Sequence, residues 1–528
     1  MYDPCFGARR VHRNWRVQLK ARYLKRVIAT LAIVVASVLV AFAVGVLWPL
    51  DSVKPAPGLE RLALSNVTIV DIQNGTLIPG QTVLVEGGRI VAVGNTSDTQ
   101  VPSVDLDLDG TDRFLIPALW DMHVHVYAVS PLLDMPLYTA YGVTNVRDMQ
   151  GCPQPKDPFI ACPEDKRRWS REVEQGERVG PRIMASTSFM ANGPGMLARM
   201  KGLPDFYGTA TPQQARAFVR HFSDRVDAIK VYDRIPRDAY LALVDEAREL
   251  GLDVVGHRPH AVSAIEAAVH QKSIEHARFM LHESFSGSEK LRTLAGTPEW
   301  RENRRLMLDE HDPGMAQAIF EVMKREGTWY VPTHLTRWVD AYADAPAVRD
   351  DPLLRYLHPL MKWQWMEDVN ATLAQDPSSE ARATYQEFYE KGLELTAAAH
   401  RAGVKVLVGT DYIVAGADVH REMEQLVRAG LSPADALHAA TLEPARYFGL
   451  EADYGTVEVG KRADLVLLNA NPLEDIRNTW KIESVIQGGN LYDRSAIDRI
   501  SRQVERRARS WTIACKILWR FIKNPVSY

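Results

Sequence analysis

Phe114-Leu-Ile-Pro-Ala-Leu-Trp-Asp-Met-His-Val-His125 is an apolar run that ends in His-x-His. On a β-strand, residues i and i+2 project to the same side. His123 and His125 can therefore offer two imidazoles to one metal ion at the C-terminal end of that strand. Two partly buried histidines without a ligand would give the same pattern, so the pair is weighed with the rest of the chain.

Further candidate ligands follow, each at the end of a predicted strand. Asp227-Ala-Ile-Lys-Val-Tyr232 carries Lys230, and Leu252-Asp-Val-Val-Gly-His257 ends in His257. A short helical run from Ala261 to His270 leads to Ser273-Ile-Glu-His276, and Lys405-Val-Leu-Val-Gly-Thr-Asp411 ends in Asp411. Strands alternating with helical segments predict a parallel α/β architecture. In a (β/α)8 TIM barrel the chemistry collects at the C-terminal ends of the strands. Four histidines, a lysine and an aspartate stand in that position here.

This order resembles the metal-dependent amidohydrolase superfamily over residues 59–492, most closely its prolidase-like and imidazolonepropionase-like members. The resemblance implies that His123, His125 and Asp411 hold one divalent ion and His257 and His276 a second. Lys230, carboxylated by carbon dioxide, bridges the two. Ala118 departs from the glycine usual in the family's Pro-Gly-Leu-x-Asp-x-His-x-His, several residues before the ligands.

The physical sense of these residues stands beside the family pattern. Neutral imidazole and carboxylate oxygen suit zinc-like ions; zinc is the expected metal, with manganese, iron or cobalt able to use the same ligands. An ammonium would be repelled by two dications, whereas a carboxylated lysine is an anionic bidentate ligand. The plain alternative for Lys230 is a lysine snorkelling from a barrel strand. A bound metal lowers the pKa of its water toward ~7. Asp411 is then placed to take a proton from the resulting hydroxide and pass it to a departing nitrogen.

Other residues carry two readings. Gly142-Val-Thr-Asn-Val-Arg-Asp148 predicts the second strand, with Arg147 and Asp148 either meeting substrate or forming a structural ion pair. Tyr232 and His334, the latter closing the predicted seventh strand Trp329-Tyr-Val-Pro-Thr-His334, either bind substrate or belong to the pocket wall or core. His260 and His420 read as capping or supporting groups.

The elements that must position these groups divide the chain. Short β-patterned runs separated by Asn74-Gly75 and Gly87-Gly88 fill residues 59–113. The resemblance implies that with residues 453–492 they form one small β-sandwich beside a barrel over residues 114–450. Residues 434–450 predict a single returning helix, and residues 281–326 and 340–395 mostly helical insertions that shape access to the site.

The net charge of −3 hides three regions. Residues 1–26 sum to +7 and residues 493–528 to +6, so the body between them carries −16. An acidic body argues against a nucleic-acid partner. Residues 27–50 contain no charge, and at ~1.5 Å per residue they can cross a ~30 Å hydrocarbon core. The basic flank before them predicts a signal anchor with a cytoplasmic N-terminus and an extracytoplasmic, periplasmic-type catalytic body. A signal peptide cleaved after Ala41-Phe-Ala43, giving a secreted protein, is the alternative. Cys152 and Cys162 suit a disulfide in an oxidising compartment. Cys5 and Cys515 suggest no nucleophile. The tail 493–528 is expected to be basic and amphipathic, its apolar-basic part 511–523 lying on a membrane or packing on protein. A homo-oligomer is compatible with the sequence.

The expected function is a membrane-tethered, binuclear metal hydrolase cleaving C–N bonds of small amide, dipeptide-like or cyclic amide substrates. The alternatives are a mononuclear imidazolonepropionase- or deaminase-like enzyme and a non-catalytic, membrane-tethered binding protein on a barrel scaffold.

Overall fold

Seven short, almost wholly buried strands lie parallel to one another: Leu119–Val124, Val143–Asp148, Arg182–Ser186, Ala228–Val231, Asp253–Gly256, Ser273–Glu275 and Trp329–Val331. The computed structural model describes residues 6–50, 53–153, 157–195 and 202–524. Parallel pairing runs from the first strand to the third and from the fourth to the seventh. Bridges from Thr187 to Ala228 and from Ala191 to Val231 join the two groups. An eighth extended segment closes the ring, pairing Val406 with Tyr330 while Val408 O accepts from Met122 N at 2.9 Å. Near-continuous burial along each strand is what a parallel sheet covered by helices requires.

The barrel begins at Leu119 instead of the expected 114. Phe114–Pro117 joins the flanking sheet, parallel to Arg61–Asp71 and antiparallel to Leu465–Leu468. Residues 59–113 and 453–492 do fold together, but with Phe114–Pro117 they make eight strands in one hydrogen-bonded sheet instead of two separate ones. Leu115 links the halves over a core that includes Leu64, Val83, Leu465 and Ile486. The helix expected over 434–450 is broken into Pro433–Ala440 and Leu442–Phe448. Pro444 has no N–H to offer Ala440, four residues earlier, and the Thr441 hydroxyl turns back onto Leu437 O at 2.7 Å. The two insertions are helical as expected.

Cys152 and Cys162 are joined in a disulfide. Closing a loop of this size contributes roughly 2–3 kcal/mol through the unfolded chain.

The described residues between 53 and 509 form one unit; residues 6–50 and 510–523 form another. In the second, the helix Phe6–Leu47 includes Arg22–Leu47, long and apolar enough by length and composition to cross a membrane. The expected span 27–50 overlaps it up to Leu47. Cys5 lies outside the described residues. The tail is two helices, not one element. Arg494–Ala508 buries Ile497, Ile500, Val504 and Ala508. Trp511–Lys523 packs on the N-terminal helix at Gly45, where an added Cβ would stand 2.5 Å from the Trp511 ring and 2.7 Å from Cys515 Sγ. Lys516 Nζ donates to Val46 O at 2.5 Å.

Candidate metal centre

The strand ends deliver His123, His125, Lys230, His257, His276 and Asp411 to one end of the barrel, in the order the sequence predicts. Two glycines make this crowding possible. At Gly256, just before His257, φ is +121° and a Cβ would meet Val231 O at 2.4 Å. At Gly409 a Cβ would stand 2.9 Å from His123 Cβ. Backbone strain is concentrated here as well: His276, Thr333 and Asp411 have φ of 71°, 47° and 44°. Such conformations cost of order 1 kcal/mol or more and persist where the surroundings over-determine them.

His123, His125 and Asp411 form one cluster, with a ligand atom from each lying within 4.8 Å of the others. Asp411 Oδ1 is 3.4 Å from His125 Nε2 and 3.6 Å from His123 Nε2. Both Nε2 atoms are buried and have no hydrogen-bond partner among the described residues. Opposite them, His257 Nε2 and His276 Nε2 face each other at 2.9 Å. The His276 Nδ1 is held by Thr333 Oγ1 at 2.7 Å, and Asp411 Oδ2 lies 3.8 Å from that nitrogen. The cluster and the pair share a common space.

Lys230 is buried between these groups, its backbone N–H donating to Ser188 Oγ at 2.9 Å. Burial lowers its amine pKa. Burial first, and the Lys230 charge among the groups after it, hold all four histidines well below the ordinary imidazole value. They are therefore neutral, the form that binds metal. Burial pushes the Asp411 carboxyl up to about 6. Converging orphaned imidazole nitrogens, an adjacent carboxylate and a buried amine fit divalent ions: the donor set is the right chemistry and its lone pairs point inward.

The remaining candidates separate. Tyr232 stacks on His257 with ring centroids 3.8 Å apart, so it lines the site. His334 is buried, with neither ring nitrogen bonded among the described residues; its backbone N–H donates to Glu422 Oε1 at 2.7 Å. Arg147 forms a structural ion pair, with Glu275. Its guanidinium is buried and bonds Met122 O, Ser273 Oγ, Tyr447 OH and Glu275 Oε1. Asp148 pairs with Lys166 Nζ at 2.5 Å. His260 stacks on Trp300 at 3.9 Å, and His420 bonds Thr479 and Tyr141 O.

Several contributors escaped sequence reasoning. Asp121 ties the first strand to the eighth, accepting from Thr410 N at 3.0 Å and Thr410 Oγ1 at 2.7 Å, right beside Asp411. Glu275 Oε2 lies 3.0 Å from His123 Nδ1. Arg278 and Arg337 carry charges that act on Asp411 and His276. Asp121 and Glu275 had a signal, since each lies next to a ligand motif. The arginines sit in helices after the strands, where no spacing marks them.

Residues 114–492 match the amidohydrolase family. Ochratoxinase of Aspergillus niger is 31% identical over 187 residues, 35% of this chain and 33% of that one. The match thus spans about a third of that relative's length. Among solved structures, the fold is similar to a putative prolidase from Bifidobacterium longum, with a TM-score of 0.56 and 25% identity over 85% of this chain and 100% of that one. It is also similar to a bottromycin amidohydrolase, with a TM-score of 0.62 and 22% identity over 85% and 91%.

Proposed function

The chain belongs to the amidohydrolase family, and from that premise we propose that it is a binuclear metal hydrolase of amide C–N bonds. The observation that carries this reading is the convergence of four neutral imidazoles, Asp411 and the buried Lys230 amine at one end of the barrel. His123, His125 and Asp411 would hold one divalent ion and His257 and His276 the other, with Lys230 between them. Bound there, such ions supply Lewis-acid activation of water and of a carbonyl.

The rest is done by the chain's own groups. Burial favours the free amine of Lys230. Its lone pair can form an N–C bond to carbon dioxide and release a proton, leaving an anionic carbamate where an ammonium would repel the ions. Asp411 accepts a proton from the attacking water and returns it to the departing nitrogen. Tyr232 walls the site beside His257. Arg278 and Arg337 supply positive charge to the site, and although each also faces a carboxylate of the chain, Asp233 at 3.8 Å and Asp340 at 2.5 Å, that charge suits a substrate with a free carboxylate, such as an N-acyl amino acid or dipeptide. The name prolidase borne by one structural relative points the same way.

Turnover of N-acyl amino acids against the same compounds with an amide-capped carboxylate tests this. Loss of a charge-assisted contact is worth roughly 1.5–3 kcal/mol, so the free acids should have at least a tenfold higher kcat/KM, and Arg278→Ala should erase the difference by raising KM. Equal rates for both forms would contradict the carboxylate assignment; no hydrolysis of any amide would contradict the function.

The apolar helix Arg22–Leu47 and the Cys152–Cys162 disulfide support an anchored protein with its body in an oxidising, extracytoplasmic compartment. Trp511–Lys523 would add an interfacial contact, since it keeps Trp511, Leu518, Trp519 and Ile522 exposed next to Lys516 and Arg520. Membranes washed with alkaline carbonate should retain the full chain; release into the wash would contradict the anchor.

A further inference from the structure

We infer that Glu275 is a positioning residue for this metal centre: it fixes which nitrogen of His123 carries the proton and aims the other at the metal. The inference rests on the binuclear reading above and adds to it a residue that no ligand pattern includes.

Glu275 is fully buried inside the barrel. Three donors converge on its two oxygens. Arg147 Nη2 reaches Oε1 at 2.8 Å and Ser273 Oγ reaches Oε1 at 2.6 Å. His123 Nδ1 lies 3.0 Å from Oε2. A carboxylate held by a guanidinium and a hydroxyl accepts only, so the proton of His123 must sit on Nδ1. That leaves the lone pair on Nε2, the atom that is buried without a partner among the described residues and lies 3.6 Å from Asp411 Oδ1. Without Glu275 the ring could take the other tautomer or rotate, and Nε2 would no longer be fixed as the ligand atom.

The surroundings show that Glu275 is itself held. Arg147 comes from the second strand, Ser273 and Glu275 from the sixth, and His123 from the first. Arg147 is fastened in turn to Met122 O at 2.6 Å and to Tyr447 OH at 3.0 Å. Barrel interiors are ordinarily filled by branched apolar side chains. Replacing a buried ion pair by such residues is often neutral or stabilising, so stability alone gives little reason for the pair. Its position directly behind a ligand gives a specific one. A carboxylate behind a metal-bound imidazole orients the ring and raises its basicity, and losing such a partner typically weakens metal binding 10–100-fold. His276 shows the same device in weaker form, its Nδ1 held by the Thr333 hydroxyl.

The test uses the full chain, made metal-free and titrated with zinc against a chelator of known affinity, for the wild type, Glu275→Gln and the double variant Arg147→Met/Glu275→Gln. The double variant leaves no buried charge alone, so it covers the case in which the single variant fails to fold. One of the two ions should bind 10–100-fold more weakly in whichever variants fold, while the other keeps its wild-type affinity and the melting temperature of the metal-free double variant stays near that of the wild type. Unchanged affinity for both ions would overturn the role of Glu275 and leave the binuclear reading standing. Equal weakening of both ions together with a large fall in melting temperature would make Glu275 a structural residue only. A wild type that binds no zinc would overturn the metal centre itself, and this inference with it.

Discussion

Asp411→Asn should lower kcat by a factor on the order of 10²–10⁴, the usual contribution of a positioned proton-transfer group. The side chain stands between both histidine pairs, 3.4 Å from His125 Nε2 and 3.8 Å from His276 Nδ1. Burial, opposed by the Lys230 charge, pushes its carboxyl up to about 6, and a nearby dication would draw it lower. Asparagine keeps the shape but neither binds nor releases a proton in this range. It also tolerates the left-handed backbone at this position better than most residues, so the fold should survive. Steady-state kinetics with a matched melting curve would check this. A variant within tenfold of wild type, and equally stable, would remove Asp411 from the proton path.

The largest expected effect on stability lies behind the site, at Lys166. Its Nζ bonds Asp148 Oδ2 at 2.5 Å and Gln150 O at 2.6 Å, with both charged side chains sealed from water. Asp148 also accepts from Val126 N at 2.8 Å, the residue directly after His125. Lys166→Ala would leave a buried carboxylate without its cation, a change that costs about 3–5 kcal/mol. Because Asp148 steadies the chain just past His125, the same variant should bind metal more weakly. Denaturant unfolding of wild type and variant gives the number directly. A loss below ~1 kcal/mol, the range of exposed pairs, would mean that the site relaxes or admits water.

The candidate ligands were legible in the sequence because each lies at or near the end of an apolar run, and strand ends are where a barrel gathers its chemistry. His123 and His125 share a side by the two-residue repeat of a strand. That same repeat separates Arg147 from Asp148: one enters the barrel interior to meet Glu275, the other faces Lys166 in the helix Pro163–Glu174. Sequence alone could not assign those partners, because Glu275 is 128 residues from Arg147 and nothing local pairs them. The eight-stranded sheet was legible as two sets of strands but not as one hydrogen-bonded path, since the joining strand Phe114–Pro117 reads as the start of the barrel. The break at Thr441 was written in Pro444, whose effect falls four residues upstream.

If Lys230 joins a pair of ions, the metal content of the chain must depend on it, and elemental analysis of wild type and Lys230→Ala reads that dependence. Two divalent ions per chain, falling to one or fewer in the variant, are expected. A single ion that Lys230→Ala leaves in place would contradict the joined pair.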